Sequence, residues 1–203
     1  ELKAIPVDSP GKLDIDFIAE HVGAAYMICT MAVNNETGVR QNLAALETVI
    51  RQHNPDVPWM VDCVQALGKM CLDLADTTID YAPFSGHKLY APKGIGFMYV
   101  RDSAPSTPLI IGGGHELGQR PGTENLPGLS PLHALFELLL NPEQSVFQPE
   151  SILLQYRQQL LHALQSAFPT LELNHPLAES IPTTLNFSVQ GVPSRDIMDV
   201  FDA

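Results

Sequence analysis

Apolar and polar positions change their period several times along this chain. Tyr26 to Val33 is almost wholly apolar and ends on polar Asn34-Asn35-Glu36, which predicts a buried strand running into a loop. Behind Asn42, a residue type suited to capping a helix, Leu43, Leu46, Val49 and Ile50 recur at helical spacing until Pro55 and Pro58 end the pattern. Short apolar runs then predict strands at Trp59 to Val61, with Asp62 at the C-terminal end, at Tyr81 to Ser85, and at Ile95 to Val100. Lys88 falls in the connection between the last two.

The second half is patterned differently. Gly112-Gly113-Gly114, Gly118, Pro121 and Gly122 make a glycine-rich loop that cannot be the interior of a helix or strand. Leu126 to Leu140 reads as a helix with Leu132, Leu135, Leu138 and Leu139 along one side, stopped by Asn141-Pro142. Glu150 to Phe168 reads as a long amphipathic helix closed by Pro169. Leu185, Phe187 and Val189 alternate with polar Asn186 and Ser188 as in a half-buried strand, and Ser194 can cap a helix carrying Ile197, Val200 and Phe201.

Strands separated by a helix point to an α/β sheet with parallel pairs, and such sheets bind ligands beyond the carboxyl ends of their strands. Asn35, Asp62, Ser85, His87 and Lys88 all fall at those ends.

Composition narrows the function classes. With 45% hydrophobic and 17% charged residues over 203 positions, the chain can pack a substantial core. A formal net charge of -12 argues against a nucleic-acid or anionic-membrane partner, since both demand a basic surface. No stretch approaches the roughly 20 apolar residues of a membrane span, and Glu1-Leu2-Lys3 does not begin a signal peptide, so the expected address is cytoplasmic. Cys29, Cys63 and Cys71 lack metal-ligand spacing and read as reduced thiols. His115-Glu116 lacks the second histidine of a zinc-protease helix, so no metal is expected.

Ser85-Gly86-His87-Lys88 combines a hydroxyl, a flexible residue, an imidazole and an amine at a strand end. A phosphate-bearing aldehyde cofactor needs such donors for its phosphate and a lysine for its carbonyl. Asp62, at a strand end upstream of the lysine, is placed either to keep a pyridine nitrogen protonated or to cap a turn, and Gln65 either to donate to the ring's phenolate oxygen or to sit in solvent. Lys69 and Lys93 read as solvated cations, and Arg120 as a surface arginine or an anion contact.

Four stretches together resemble the class V aminotransferase family, within the fold type I enzymes that use pyridoxal 5′-phosphate, and specifically its NifS/IscS group of cysteine desulfurases. They are Val33-Asn34-Asn35-Glu36-Thr37-Gly38; Val61-Asp62-Cys63-Val64-Gln65-Ala66-Leu67-Gly68-Lys69; the segment from Phe84 to Gly96 around Ser85-Gly86-His87-Lys88; and the segment from Gly112 to Asn125. The resemblance implies an α/β large domain with a mixed, mainly parallel sheet flanked by helices over residues 1–140, and the start of a small α+β domain over 141–203. It implies that Lys88 holds the cofactor in a Schiff base and moves the substrate Cα proton, helped by burial that lowers a lysine pKa. Asp62 then pairs with the ring nitrogen, Gln65 contacts the phenolate oxygen, and Ser85 and His87 bind phosphate. Asn35 seats the substrate carboxylate, and Thr123 reaches the phosphate of a second copy in a homodimer. The implied activity converts L-cysteine to L-alanine and passes sulfur as a persulfide to an acceptor or scaffold protein, for iron–sulfur cluster or related biosynthesis. The alternatives are another class V enzyme, such as a selenocysteine lyase or an aminotransferase, and a catalytically incomplete chain that only dimerises.

The pattern is incomplete here. The family's upstream phosphate-binding threonine and ring-stacking histidine would precede Glu1, and its catalytic-cysteine loop and substrate-carboxylate arginine would follow Ala203. The expectation is therefore a central fragment of a longer protein. Pro121 stands where the family often has serine, which stiffens the loop and removes an N–H.

Overall fold

The computed structural model describes residues 1–141, 143 and 147–201. Helix α1 spans Ile15–His21, and the Asp14 carboxylate caps it by accepting from the Phe17 N–H at 2.9 Å. Strand β1 (Ile28–Met31) leads through a loop to α2 (Leu43–His53), where Asn42 Oδ1 accepts from the Ala45 N–H at 3.1 Å. Strands β2 (Trp59–Asp62), β3 (Tyr81–Ser85) and β4 (Gly96–Val100) complete a sheet of order β1-β2-β3-β4. The first three are parallel and β4 runs antiparallel to β3. Gly86 to Ile95 is shorter than the dozen or so residues that a parallel crossover needs, so β4 folds straight back. Only the β1-to-β2 crossover carries an α-helix; between β2 and β3 the chain makes a series of turns instead.

Beyond the sheet come α3 (Leu126–Leu140), capped by Asn125, and α4 (Glu150–Ala167). A two-stranded antiparallel sheet of β5 (Leu171–Leu173) and β6 (Phe187–Val189) follows, then α5 (Ser194–Phe201). Pro142, expected to stop α3, and the side chain of Val200, expected on the apolar side of α5, lie outside the described residues.

The core sits on one face of the larger sheet. Trp59 and Val61 of β2 and Ala82 and Phe84 of β3 are buried with Ile18 of α1 and Leu46 and Ile50 of α2. The Trp59 indole donates to Thr30 Oγ1 at 3.0 Å, so the buried ring leaves no lone N–H. Phe84 stacks on Phe97 at 4.6 Å between centroids, and Phe97 meets Phe136 of α3 edge-on at 5.3 Å. Because side chains alternate along a strand, Asp62 and Ser85 project from the face opposite this core. Ile181, from the chain beyond α4, also enters the core and ties that region to the sheet.

Candidate active site

The three parallel strands end together. Met31 of β1 pairs with Asp62 of β2, and the Cys63 N–H reaches Pro83 O of β3, so the loops after Met31, Asp62 and Ser85 leave from one edge. Asp62 is exposed there, and its Oδ1 accepts from the Val64 N–H at 2.9 Å, which fixes the carboxylate and leaves Oδ2 for a ligand. Cys63, next along, is fully buried on the other face. Burial, reinforced by the Asp62 charge, pushes its thiol up to about 12.

After Asp62 the chain winds through a tight turn in which the Ala66 N–H bonds Cys63 O at 2.9 Å and the Met70 N–H bonds Ala66 O at 3.0 Å. Gln65 and Lys69 thereby stand one above the other, and Lys69 Nζ donates to Gln65 Oε1 at 2.5 Å. Lys69 is thus half-buried and hydrogen-bonded, not the solvated cation its sequence context suggested. Burial lowers its pKa, and the nearby Lys88 cation lowers it further.

After β3, Gly86–Leu89 forms a single 3-10 turn that presents His87 and Lys88 outward and closes on Tyr90, which takes a left-handed φ of 70°. Lys88 is exposed in this chain; the half-buried lysine of the pair is Lys69. Gly86 is needed for packing, since a Cβ there would come within 2.9 Å of Ile95 Cγ2 and 3.0 Å of Ile95 O.

The loop after β1 is shaped by a residue that sequence reasoning passed over. Asn34 Oδ1 accepts from the Glu36 and Thr37 N–H groups, both at 2.9 Å, and Thr37 Oγ1 donates to it at 3.2 Å. Its neighbour Asn35 is left exposed, with Nδ2 donating to Glu36 Oε1 at 2.7 Å. Asparagine two residues before an amide is the usual signature of such a turn.

Thr123 stands apart from these residues, exposed in the loop between Gly118 and α3. Arg120 is held locally, paired with the Glu116 carboxylate at 2.5 Å and donating to Gly122 O at 3.1 Å. A hollow of about 380 Å³ lined by Arg51, Asp80 and Arg101 opens at the other end of the strands. Its arginines are spent on backbone carbonyls and Asp80, so it stands aside from the strand-end cluster.

The donor set at the strand ends suits a phosphorylated pyridine aldehyde. One carboxylate is anchored with an oxygen to spare, a hydroxyl and an imidazole can bond phosphate, an amide can donate, and an amine is presented on a short turn.

Comparison with known proteins points the same way. The aminotransferase class-V family model matches residues 1–203. A cysteine desulfurase of Nostoc sp. is 35% identical over 195 residues, covering 96% of this chain and 48% of that protein. Cysteine desulfurase 2 of Trichormus variabilis is 38% identical over 183 residues, covering 89% and 44%. A solved NifS-like protein superposes with a TM-score of 0.86 at 31% identity, covering 98% of this chain and 54% of that one. The chain spans about half the length of the curated relatives it matches.

Proposed function

Since the chain belongs to the aminotransferase class-V family, we propose that the protein containing it is a pyridoxal-phosphate-dependent cysteine desulfurase, converting L-cysteine to L-alanine. The observation that carries the reading is the edge where Asp62, Gln65 and Ser85 leave neighbouring strands beside the turn bearing His87 and Lys88. Two cysteine desulfurases similar over most of this chain support it.

Bound pyridoxal phosphate supplies an aldehyde that captures amines and a cationic ring that withdraws electrons from the substrate Cα. Lys88 would hold the aldehyde carbon, Asp62 the protonated ring nitrogen, Gln65 the ring-edge oxygen, and Ser85 and His87 the phosphate. Asn35 would seat the substrate carboxylate. Lys88 Nζ would also serve as the general base that takes the substrate Cα proton. A thiolate then attacks the substrate Sγ; the new S–S bond forms as Cβ–Sγ breaks, its electron pair stays with carbon, and protonation gives alanine. Cys63 is unfit for that thiolate, being buried with a thiol pushed up to about 12. We assign the role to a mobile loop in the remainder of the protein.

The two-domain division at residues 1–140 and 141–203 is part of this reading, supported by the separate β5-β6 sheet. So is a homodimer in which Thr123 serves the other copy's phosphate. Its support is the apolar surface around that loop, where Leu109, Ile111 and Leu117 are 97%, 93% and 98% exposed. The persulfide would go to an acceptor or scaffold protein, as iron–sulfur cluster assembly requires. A cytoplasmic setting is proposed with it; among the described residues no helix is long and apolar enough to cross a membrane.

The test is to add pyridoxal phosphate to the whole protein, reduce with borohydride, and map the label by mass spectrometry. Label confined to Lys88, with equal alanine and sulfur release from L-cysteine, is the expected result. Label scattered over the lysines, or none, would refute the site, and label on Lys88 without desulfuration would leave the family but remove the substrate.

A further inference from the structure

We infer that Lys69 is a positioning residue of this site, fixing which end of the Gln65 amide is offered to the cofactor and holding a second cation beside Lys88. This rests on the pyridoxal-phosphate reading above and goes beyond it, because Gln65 alone does not determine its own orientation.

An amide side chain can present either its oxygen or its NH2 group, and the two are opposites to a ligand oxygen. Lys69 decides between them. Its ammonium only donates, so the 2.5 Å contact fixes Gln65 Oε1 on the lysine side and turns Nε2 away. Nε2 has no hydrogen-bond partner among the described residues, which leaves a donor for the anionic ring-edge oxygen. Without Lys69 the amide is free to turn, and half of its orientations would set Oε1 against that anion.

Lys69 is also tied to the turn that carries Lys88. The intervening Gly68 has φ of 76° and packs so closely that a Cβ there would stand 3.0 Å from Cδ2 of Leu89, the residue after Lys88. The two turns are therefore packed directly against each other. Burial, with Lys88 as the second cause, lowers the pKa of Lys69, in keeping with two amines held near each other. A cation in that place favours a phosphate and a phenolate together.

The experiment uses the whole protein loaded with pyridoxal phosphate. Borohydride labelling of the wild type comes first; label away from Lys88 would overturn the site and this inference with it. With label on Lys88, the pH midpoint of the bound cofactor's visible absorption is compared among wild type, Lys69→Met, Gln65→Leu, the double variant and Lys69→Arg. Losing a donor to the phenolate, or the cation beside it, raises that midpoint. Each single variant is expected to move it up by roughly half a unit or more. The double variant should move it by less than the sum, because both changes break one interaction. Lys69→Arg, which keeps a charged donor, should return it near the wild-type value. Should Lys69→Met fail to fold, Lys69→Gln, which keeps a donor without charge, takes its place and should fall between. An unchanged midpoint on removal of Lys69, or fully additive effects, would overturn the inference even with Lys88 labelled.

Discussion

His175 is 4% exposed, and its Nε2 accepts from the Asn186 N–H at 3.1 Å, so the ring is neutral and carries its proton on Nδ1. Nδ1 has no well-formed hydrogen bond among the described residues. Burial is the main cause that lowers its pKa; the Pro176 backbone opposes the shift and the Arg157 cation adds to it. Because the folded value lies below the unfolded value of about 6.5, the unfolded chain takes up a proton first as pH falls. Stability is unaffected by this residue above that pH and is lost progressively below it. Urea midpoints measured between pH 7 and pH 5 should therefore drop more steeply in the wild type than in His175→Gln. Parallel slopes would show that His175 is not a source of acid sensitivity. At the same scale, Asp62, Ser85, His87 and Lys88 were legible as a strand-end group because their types match a chemistry and their spacing matches strand ends. The pairing of Lys69 with Gln65 was not, since an exposed lysine and a half-buried one look alike in sequence.

Elements were legible where a period ran long enough between clear stops. The α2 segment shows this: Asn42 opens it, apolar residues repeat at helical spacing until Pro55 and Pro58 stop the pattern, and the helix runs Leu43–His53 with Asn54 as its C-cap. Replacing Asn42 by Ala removes an acceptor from the Ala45 N–H and should cost about 1 kcal/mol in chemical denaturation, with Asn42→Ser or Asn42→Asp nearly neutral. Equal losses for all three would assign the effect to something other than the cap. Helix α3 matched its expected span, Leu126–Leu140, for the same reason. Helix α1 and strand β5 were missed. At 7 and 3 residues they are too short for a period to emerge. Each is held by tertiary contacts, α1 by packing Ile18 into the core and β5 by pairing with β6.

At the scale of the whole molecule, the loop that carries Asn35 belongs to two parts of the chain at once. It leaves the larger sheet after β1, yet its far side is bonded to residues beyond α4. The Arg40 N–H donates to Glu179 O and the Ile181 N–H to Gly38 O, both at 2.8 Å, while Asn186 Nδ2 donates to Glu36 O at 3.1 Å. At Gly38 the two parts pack tightly. With φ at 72°, it adopts a conformation that costs an L-residue about 1–2 kcal/mol, and a Cβ there would lie 2.6 Å from Thr184 Cβ. Gly38→Ala should therefore destabilise the protein by about 2 kcal/mol or more, strain and overlap together. Thr184→Gly in the same background removes the overlap and leaves the strain, so it should recover part of the loss and no more. The pair separates backbone from packing by denaturation, and no recovery at all would mean that Gly38 matters for its φ alone. If Asn35 seats the substrate carboxylate, Gly38→Ala should also raise KM for cysteine with a smaller change in kcat, because the loop shifts while Asp62 stays on β2 and Lys88 on the turn after β3. A fall in kcat with KM unchanged would instead tie the loop to the proton transfer.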